Sequence, residues 1–145
     1  MTKSEITPDT TTGTPDPITV VQQFLGRWSG SKADAIASFD KFFTPETVWD
    51  NVGLTTTVGI DEARALAKDV VPGYETMIAD IKLIVAKGRY VFTERVDHFY
   101  TATGDLLVSI RGAGVAEVQN GRILAMREYF IPENPETSDA TATNE

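Results

Sequence analysis

The sequence contains no cysteine, an absence that removes disulfide bridges, thiolate metal sites and thiol nucleophiles together and fits a reducing compartment. Imidazole is almost as scarce. His98 is the one histidine, and a single imidazole without thiolates does not furnish the nitrogen and sulfur ligands that zinc takes, so no metal is expected. Positive charge is in deficit, with 13 Lys and Arg against 21 Asp and Glu and a formal net charge of −8. Phosphate contact needs a basic footprint, and without a Lys/Arg cluster nucleic acid is not an expected partner. Nor is there an apolar run of the length that a membrane span or an export signal requires. Met1 to Pro17 is polar and rich in Thr, Pro and Asp. These absences point to a cytoplasmic domain that makes no membrane contact. Internal repeats, a glycine-rich phosphate loop and a nucleophile elbow are missing as well.

The 145 residues suit one domain, and a chain near that length buries about 68–70% of its unfolded surface, enough for a core with a pocket. Residues 1–16 and the acidic stretch 133–145 carry almost no large apolar side chains, so both ends are expected to be disordered tails around a domain at 17–132. Asp16 before Pro17 has the form of a helix cap with proline at the first helical position. Ile18, Val21, Phe24, Leu25 and Trp28 then recur at helical spacing. A second helix is predicted after Ser31, where Ser31 and Asp34 are spaced as a capping box, with Ile36, Phe39 and Phe43 facing inward and an end before Pro45. Thr47 to Val52 reads as extended, which places Trp49 and Asn51 on one face. A third helix is predicted over Asp61 to Val71, burying Ala63, Leu66, Ala67 and Val70.

From Tyr74 onward the pattern is strand after strand: Met77 to Ala86, Tyr90 to Thr101, Leu106 to Val118 and Arg122 to Ile131. Lys87-Gly88, Thr103-Gly104 and Asn120-Gly121 mark the turns, and Asn-Gly is the strongest hairpin signal of the three. The fold class expected is α+β, helices first and a strand meander after. Gly112-Ala113-Gly114 falls inside a strand, where it marks a bulge or pocket space.

Strand parity supplies the candidate chemistry. Val91, Thr93, Arg95, Asp97 and Phe99 share one face of their strand, and Met126, Glu128 and Phe130 share one face of the last. If both faces turn to the concave side of a curved sheet, an arginine, two acids and Asn51 meet there. From parity alone three accounts stay open: a solvated pair of little energetic consequence, a buried structural ion pair, or a functional site. His98 and Arg111 alternate away from this face and are expected on the outer sheet surface or at an interface. Trp28, Leu66, Val70, Met77, Phe99, Ile110, Met126 and Phe130 are candidates for an apolar pocket wall.

Three stretches carry a family resemblance: Phe92-Thr93-Glu94-Arg95-Val96-Asp97, Met126-Arg127-Glu128-Tyr129-Phe130 and Val48-Trp49-Asp50-Asn51. Together with the helix order and the Asn120-Gly121 hairpin, they make the chain from Pro17 to Pro132 resemble the limonene-1,2-epoxide hydrolase family. The resemblance implies a cone-shaped, curved mixed sheet capped by helices, of the kind shared with nuclear transport factor 2, ketosteroid isomerase and SnoaL-like proteins, usually as a homodimer through the outer sheet surface. It implies Asp97 as general acid, Arg95 as the bridge between two carboxylates, Glu128 as base and Asn51 as a residue holding the attacking water. No cofactor and no metal enter that chemistry, whose partners are water and a small hydrophobic epoxide, cyclic or terpenoid-like. Four positions depart from the pattern. Trp49 stands where the family has a tyrosine that helps hold the water, and an indole N–H donates without accepting. Glu128 stands where the family has an aspartate. Gly112 and Gly114 stand where it carries larger apolar residues, which implies a wider cavity and adds Gly112 to the expected substrate wall. An epoxide-opening cyclase, an isomerase like ketosteroid isomerase and a non-enzymatic dimer binding a hydrophobic ligand use the same scaffold and remain alternatives.

Overall fold

The structure is a computed structural model that describes residues 15–132. The tails expected to be disordered lie outside the described residues, except for Pro15 and Asp16. Asp16 ends its tail as a helix cap, its Oδ1 accepting from the Thr19 N–H at 2.8 Å. Helix α1 (Pro17–Trp28) follows, burying Val20, Val21, Phe24, Leu25 and Trp28 along one stripe, with Ile18 half-buried at its start. Helix α2 (Lys32–Phe42) begins at Ser31, whose Oγ accepts from the Asp34 N–H at 3.0 Å. It ends before Pro45 as the proline predicts. Phe43, expected on the inner face of that helix, is instead the first residue of strand β1 (Phe43–Asn51). The correction leaves its burial intact, because the chain turns extended at Phe43 while its ring stays in the aromatic core, 4.8 Å from Phe39 and 5.6 Å from Phe24 between centroids.

A three-residue strand, β2 (Thr56–Val58), precedes helix α3 (Gly59–Lys68). Helix α3 starts and stops earlier than the pattern of apolar residues predicts, and it buries Ala63 and Ala67 while Leu66 is half-buried. Tyr74 ties its end to the sheet: the hydroxyl donates to the Ala67 carbonyl at 2.5 Å, and the ring stands edge-on to Phe99 at 5.3 Å. Burial, aided by Glu75 and Asp69, pushes that hydroxyl's pKa up to about 12, so it stays a donor at any ordinary pH.

The remaining strands are β3 (Thr76–Lys87), β4 (Tyr90–Tyr100), β5 (Leu106–Gln119) and β6 (Arg122–Pro132). Asn120 and Gly121 both take positive φ, 54° and 78°, the backbone of the tight β5–β6 turn that Asn-Gly predicts. The sheet order is β2-β1-β6-β5-β4-β3, and β1 joins β6 in parallel although every other pair is antiparallel. This is the mixed sheet. Register shifts interrupt four of its five pairings, and breaks of that kind bend strands, so the sheet curls around the helices without closing. Its concave face and the helices enclose a cluster of Phe24, Trp28, Phe39, Phe43 and Trp49 in which edge-on contacts predominate. Each such ring, fully buried, stabilises the fold by roughly 1.5–3 kcal/mol. That cluster forms one end of the concave space.

Candidate active site

Three strands deliver the polar groups of the site to the concave face. In β4, alternation turns Thr93, Arg95 and Asp97 inward, and all three are buried. In β6 the same alternation turns in Met126 and Glu128. Parallel pairing with β1 sets Asn51 directly beside Glu128. The exposures decide between the accounts that parity left open: Arg95 retains 6% of its surface, Asp97 3% and Glu128 4%. A solvated surface pair is excluded.

Arg95 is the hub. Its Nε donates to Asp97 Oδ1 at 2.9 Å, one Nη donates to Glu128 Oε1 and the other donates to Thr93 Oγ1 at 3.2 Å. The guanidinium also lies 5.8 Å from the centroid of the Phe130 ring. Burial is the largest single influence on the Arg95 charge and works against it, but Glu128 and Asp97 together outweigh it and hold the pKa above the ordinary arginine value. Both acids move the other way from an exposed ion pair. Asp97 is raised by burial more than Arg95 lowers it. Glu128 is raised by burial and by the Asp97 charge against the opposing pull of Arg95. One cation facing two carboxylates gives a net charge of −1 when both ionise and zero when they share one proton. In so dry a place the neutral arrangement is the cheaper one, which leaves one carboxylic acid and one carboxylate side by side.

Asn51 is fixed through its amide: Nδ2 donates to the Thr55 carbonyl at 3.2 Å, which leaves Oδ1 as an acceptor next to Glu128. The Trp49 and Trp28 indole N–H groups are buried with no hydrogen-bond partner among the described residues. Above these groups lies a cavity of about 320 Å³, within the range of small-molecule sites. Arg95, Asp97, Glu128, Asn51 and Trp49 all border it. So do Trp28, Leu66, Val70, Met77, Phe99, Ile110, Met126 and Phe130. Of the expected wall residues, Gly112 alone stands outside the lining, and neither glycine of β5 widens the space. A Cβ at Gly112 would stand 2.8 Å from the Phe130 ring, and one at Gly114 would stand 2.9 Å from Glu128 Cδ. Side chains from β6 already fill both gaps.

Among wall residues not anticipated, Phe24 and Leu25 come from α1, Leu54 and Thr55 from the loop after β1, and Val71 from the segment after α3. Thr93 is a further addition, as the third acceptor for Arg95, and its shared parity with Arg95 and Asp97 was the available signal. His98 lies on the outward row of β4 with Nδ1 2.7 Å from Ser109 Oγ, away from the cavity. Arg111 is exposed on the outward row of β5. Among the described residues no group of three or more His, Asp or Glu is placed to hold a metal ion.

The family description "limonene-1,2-epoxide hydrolase catalytic domain" matches residues 15–133. The chain belongs to the limonene-1,2-epoxide hydrolase family. A Mycobacterium tuberculosis epoxide hydrolase described as like this family is 29% identical, superposes with a TM-score of 0.67 and pairs 81% of this chain with 84% of its own. A putative SnoaL-like polyketide cyclase from Shewanella putrefaciens superposes with a TM-score of 0.69 at 12% identity over 89% of this chain and 98% of its own. An NTF2-like protein from Anabaena variabilis gives 0.65 at 16% identity over 79% and 89%. The last two share the fold. No curated protein matches the sequence. As a member of the family, the chain carries the expected helix-capped curved sheet, with Glu128 and Trp49 at the two site positions where the family resemblance places Asp and Tyr.

Proposed function

We propose that this family member is a cofactor-independent epoxide hydrolase that adds water to a hydrophobic epoxide in one step. The observation that carries the proposal is Arg95 bonded at once to Asp97 and Glu128 on the border of an apolar cavity. Opening an epoxide with water requires a proton at the departing oxygen and removal of one from the nucleophile, so the reaction uses a carboxylic acid and a carboxylate together. Asp97 donates its proton to the epoxide oxygen as the C–O bond breaks. Water, hydrogen-bonded to Asn51 Oδ1 and Glu128, forms the new C–O bond while Glu128 takes its proton. The product is a vicinal diol, and transfer of the proton from Glu128 back to Asp97 restores the starting state. Trp49 contributes a wall and a donor only, so the acceptors for the water are Asn51 and Glu128.

That donor-only indole favours a second reading, in which a hydroxyl of the substrate itself replaces water and closes a cyclic ether. Incubation with a panel of cyclic terpene and small alkyl epoxides in ¹⁸O-labelled water, beside Asp97→Asn, separates the two. Diol carrying one ¹⁸O, lost in the variant, is the expected result. Cyclic ether from an epoxy alcohol, with no diol from any epoxide, would replace hydrolysis by cyclisation.

Assembly as a homodimer through the outer sheet surface is part of the same proposal. The outward rows expose Val85 and its pairing partner Phe92 on β3 and β4, and Tyr129 and Ile131 on β6. Sedimentation velocity at micromolar concentration is expected to show twice the chain mass, and Phe92→Glu with Tyr129→Glu is expected to give the monomer. A wild-type monomer would refute dimerisation.

A further inference from the structure

Arg95 and Glu128 meet although they are not on adjacent strands. Arg95 belongs to β4 and Glu128 to β6, and with strands ~4.8 Å apart in a sheet their backbones lie roughly 9–10 Å apart, with β5 between them. Two glycines occupy β5 at this crossing. Gly112 pairs with Arg95 on one side and Phe130 on the other, and Gly114 pairs with Thr93 and Glu128. Neither glycine has a positive φ, so the backbone at both positions is one that alanine adopts freely. A glycine inside a strand weakens it by entropy and lost packing, and here backbone geometry does not require one. The reason lies above the strand. A Cβ on Gly114 would run into the Glu128 carboxyl, 2.9 Å from Cδ and closer still to Oε2, and would stand 3.0 Å from the Arg127 carbonyl oxygen; one on Gly112 would stand 2.8 and 2.9 Å from Phe130 Cδ1 and Cε1 and 3.3 Å from the Tyr129 carbonyl oxygen.

We propose that Gly114 is a positioning residue for Glu128: its bare backbone lets the longer acid lie flat across β5 and bring its carboxylate onto the guanidinium of Arg95. Gly112 gives the Phe130 ring the same passage toward Arg95. The role assigned to Gly114 in catalysis rests on the reading of Glu128 as the base, whereas its role in placing the carboxylate does not. Glu128 and Gly114 are therefore one unit. With a methyl group at 114 the carboxyl must lift away from β5, and a displacement approaching 1 Å at a reacting group costs about 10²-fold in rate. Shortening residue 128 by one methylene removes the carboxyl contact and leaves the Arg127 carbonyl where it is, which makes the two substitutions partly compensating.

The test is a cycle of four proteins: wild type, Gly114→Ala, Glu128→Asp and the double variant. In epoxide hydrolysis Gly114→Ala is expected to lower kcat by about 10–100-fold with little change in KM. The double variant is expected to be faster than Gly114→Ala alone, so that the combined loss is smaller than the product of the single losses. Two readouts do not require turnover. Thermal midpoints are expected to show the same coupling, the double variant melting above the sum of the single effects. The ¹³C resonance of the Glu128 carboxyl, assigned by its absence in Glu128→Asp, is expected to titrate at higher pH in Gly114→Ala, because the carboxylate loses its contact with Arg95. If the wild type hydrolyses no epoxide, the hydrolase reading fails while the midpoints and the carboxyl titration still decide the pairing. If Gly114→Ala does not fold, recovery of folding in the double variant supports the pairing and continued failure overturns it. Strictly additive losses, or an unmoved Glu128 titration in a folded Gly114→Ala, also overturn it.

Discussion

Arg95→Met is expected to lower stability by about 3–5 kcal/mol at pH 7 and to abolish activity, the larger of the two stability effects expected at this site. The cost does not come from volume, since methionine fills an irregular buried space well. It comes from what is left behind. Asp97 and Glu128 keep 3% and 4% of their surface, and without Arg95 both lose the main cation that opposes their desolvation. Their pKa values, already raised in the wild type, rise further. A carboxyl whose folded pKa exceeds its unfolded value contributes stability that is complete below the unfolded pKa, near 4, and is lost as pH rises through the folded pKa. Arg95→Met is thus expected to show its smallest defect near pH 4–5 and a growing defect toward pH 8. Denaturant midpoints across that range check this. Neutralising the orphaned acids in Arg95→Met/Asp97→Asn/Glu128→Gln is expected to recover much of the loss at pH 8, because a buried triad is costly mainly when only one partner is removed. A defect that is the same at pH 5 and pH 8 would sink the electrostatic account.

The inward placement of that triad is the part of the site most legible in the sequence. Alternation along Tyr90–Tyr100 commits Arg95 and Asp97 to one face together with Val91 and Phe99, and such apolar companions turn the face inward. Glu128 between Met126 and Phe130 carries the same information. Parity gives direction but not reach, however, and for that reason it assigns Gly112 and Gly114 a space that the structure fills. Both belong to the inward row of β5, where a missing side chain suggests open space. The space belongs to Glu128 and Phe130, side chains of the hairpin partner β6, and the Asn120-Gly121 turn that pairs the two strands does not say how far those side chains reach across β5. Similar limits apply to the fold. Asp16-Pro17, Ser31 and Asn120-Gly121 are local signals with local causes, and each marks the boundary it predicts. Strand β2 has three residues, too few for a period, and the parallel pairing of β1 with β6 joins segments about eighty residues apart. Phe43 shows the two limits together: its hydrophobicity assigns it to the core correctly, but helix and strand both satisfy that assignment until the chain direction after Phe42 is known.

Asp97→Asn and Glu128→Gln are each expected to reduce kcat by about 10²–10⁴-fold while leaving the fold intact, the usual contribution of general acid or base assistance. Asparagine retains an oxygen to accept from Arg95 Nε, and glutamine retains one for the Nη that now serves Glu128, so the guanidinium keeps its partners. On the proposed mechanism each variant loses a proton-transfer function, and the two functions leave opposite marks on the pH profile. A base must be ionised, so its protonation shuts the reaction down on the acid side. An acid must be protonated, so its ionisation shuts it down on the alkaline side. The wild type is expected to give a bell in kcat/KM, whose two limbs belong to the coupled pair. Removing the acid in Asp97→Asn is expected to flatten the alkaline limb of the residual rate, and removing the base in Glu128→Gln to flatten the acid limb. Stability moves in the direction fixed by the raised pKa values: with one carboxyl neutralised, Asp97→Asn sheds the cost of ionising both, so its melting temperature relative to wild type is expected to climb as pH rises above about 5. Loss of the same limb in both variants would mean that the two acids do not divide the proton transfers as assigned. Wild-type kcat in Asp97→Asn would remove Asp97 from the reaction altogether, and the proton for the epoxide oxygen would then have to come from another group on the cavity border.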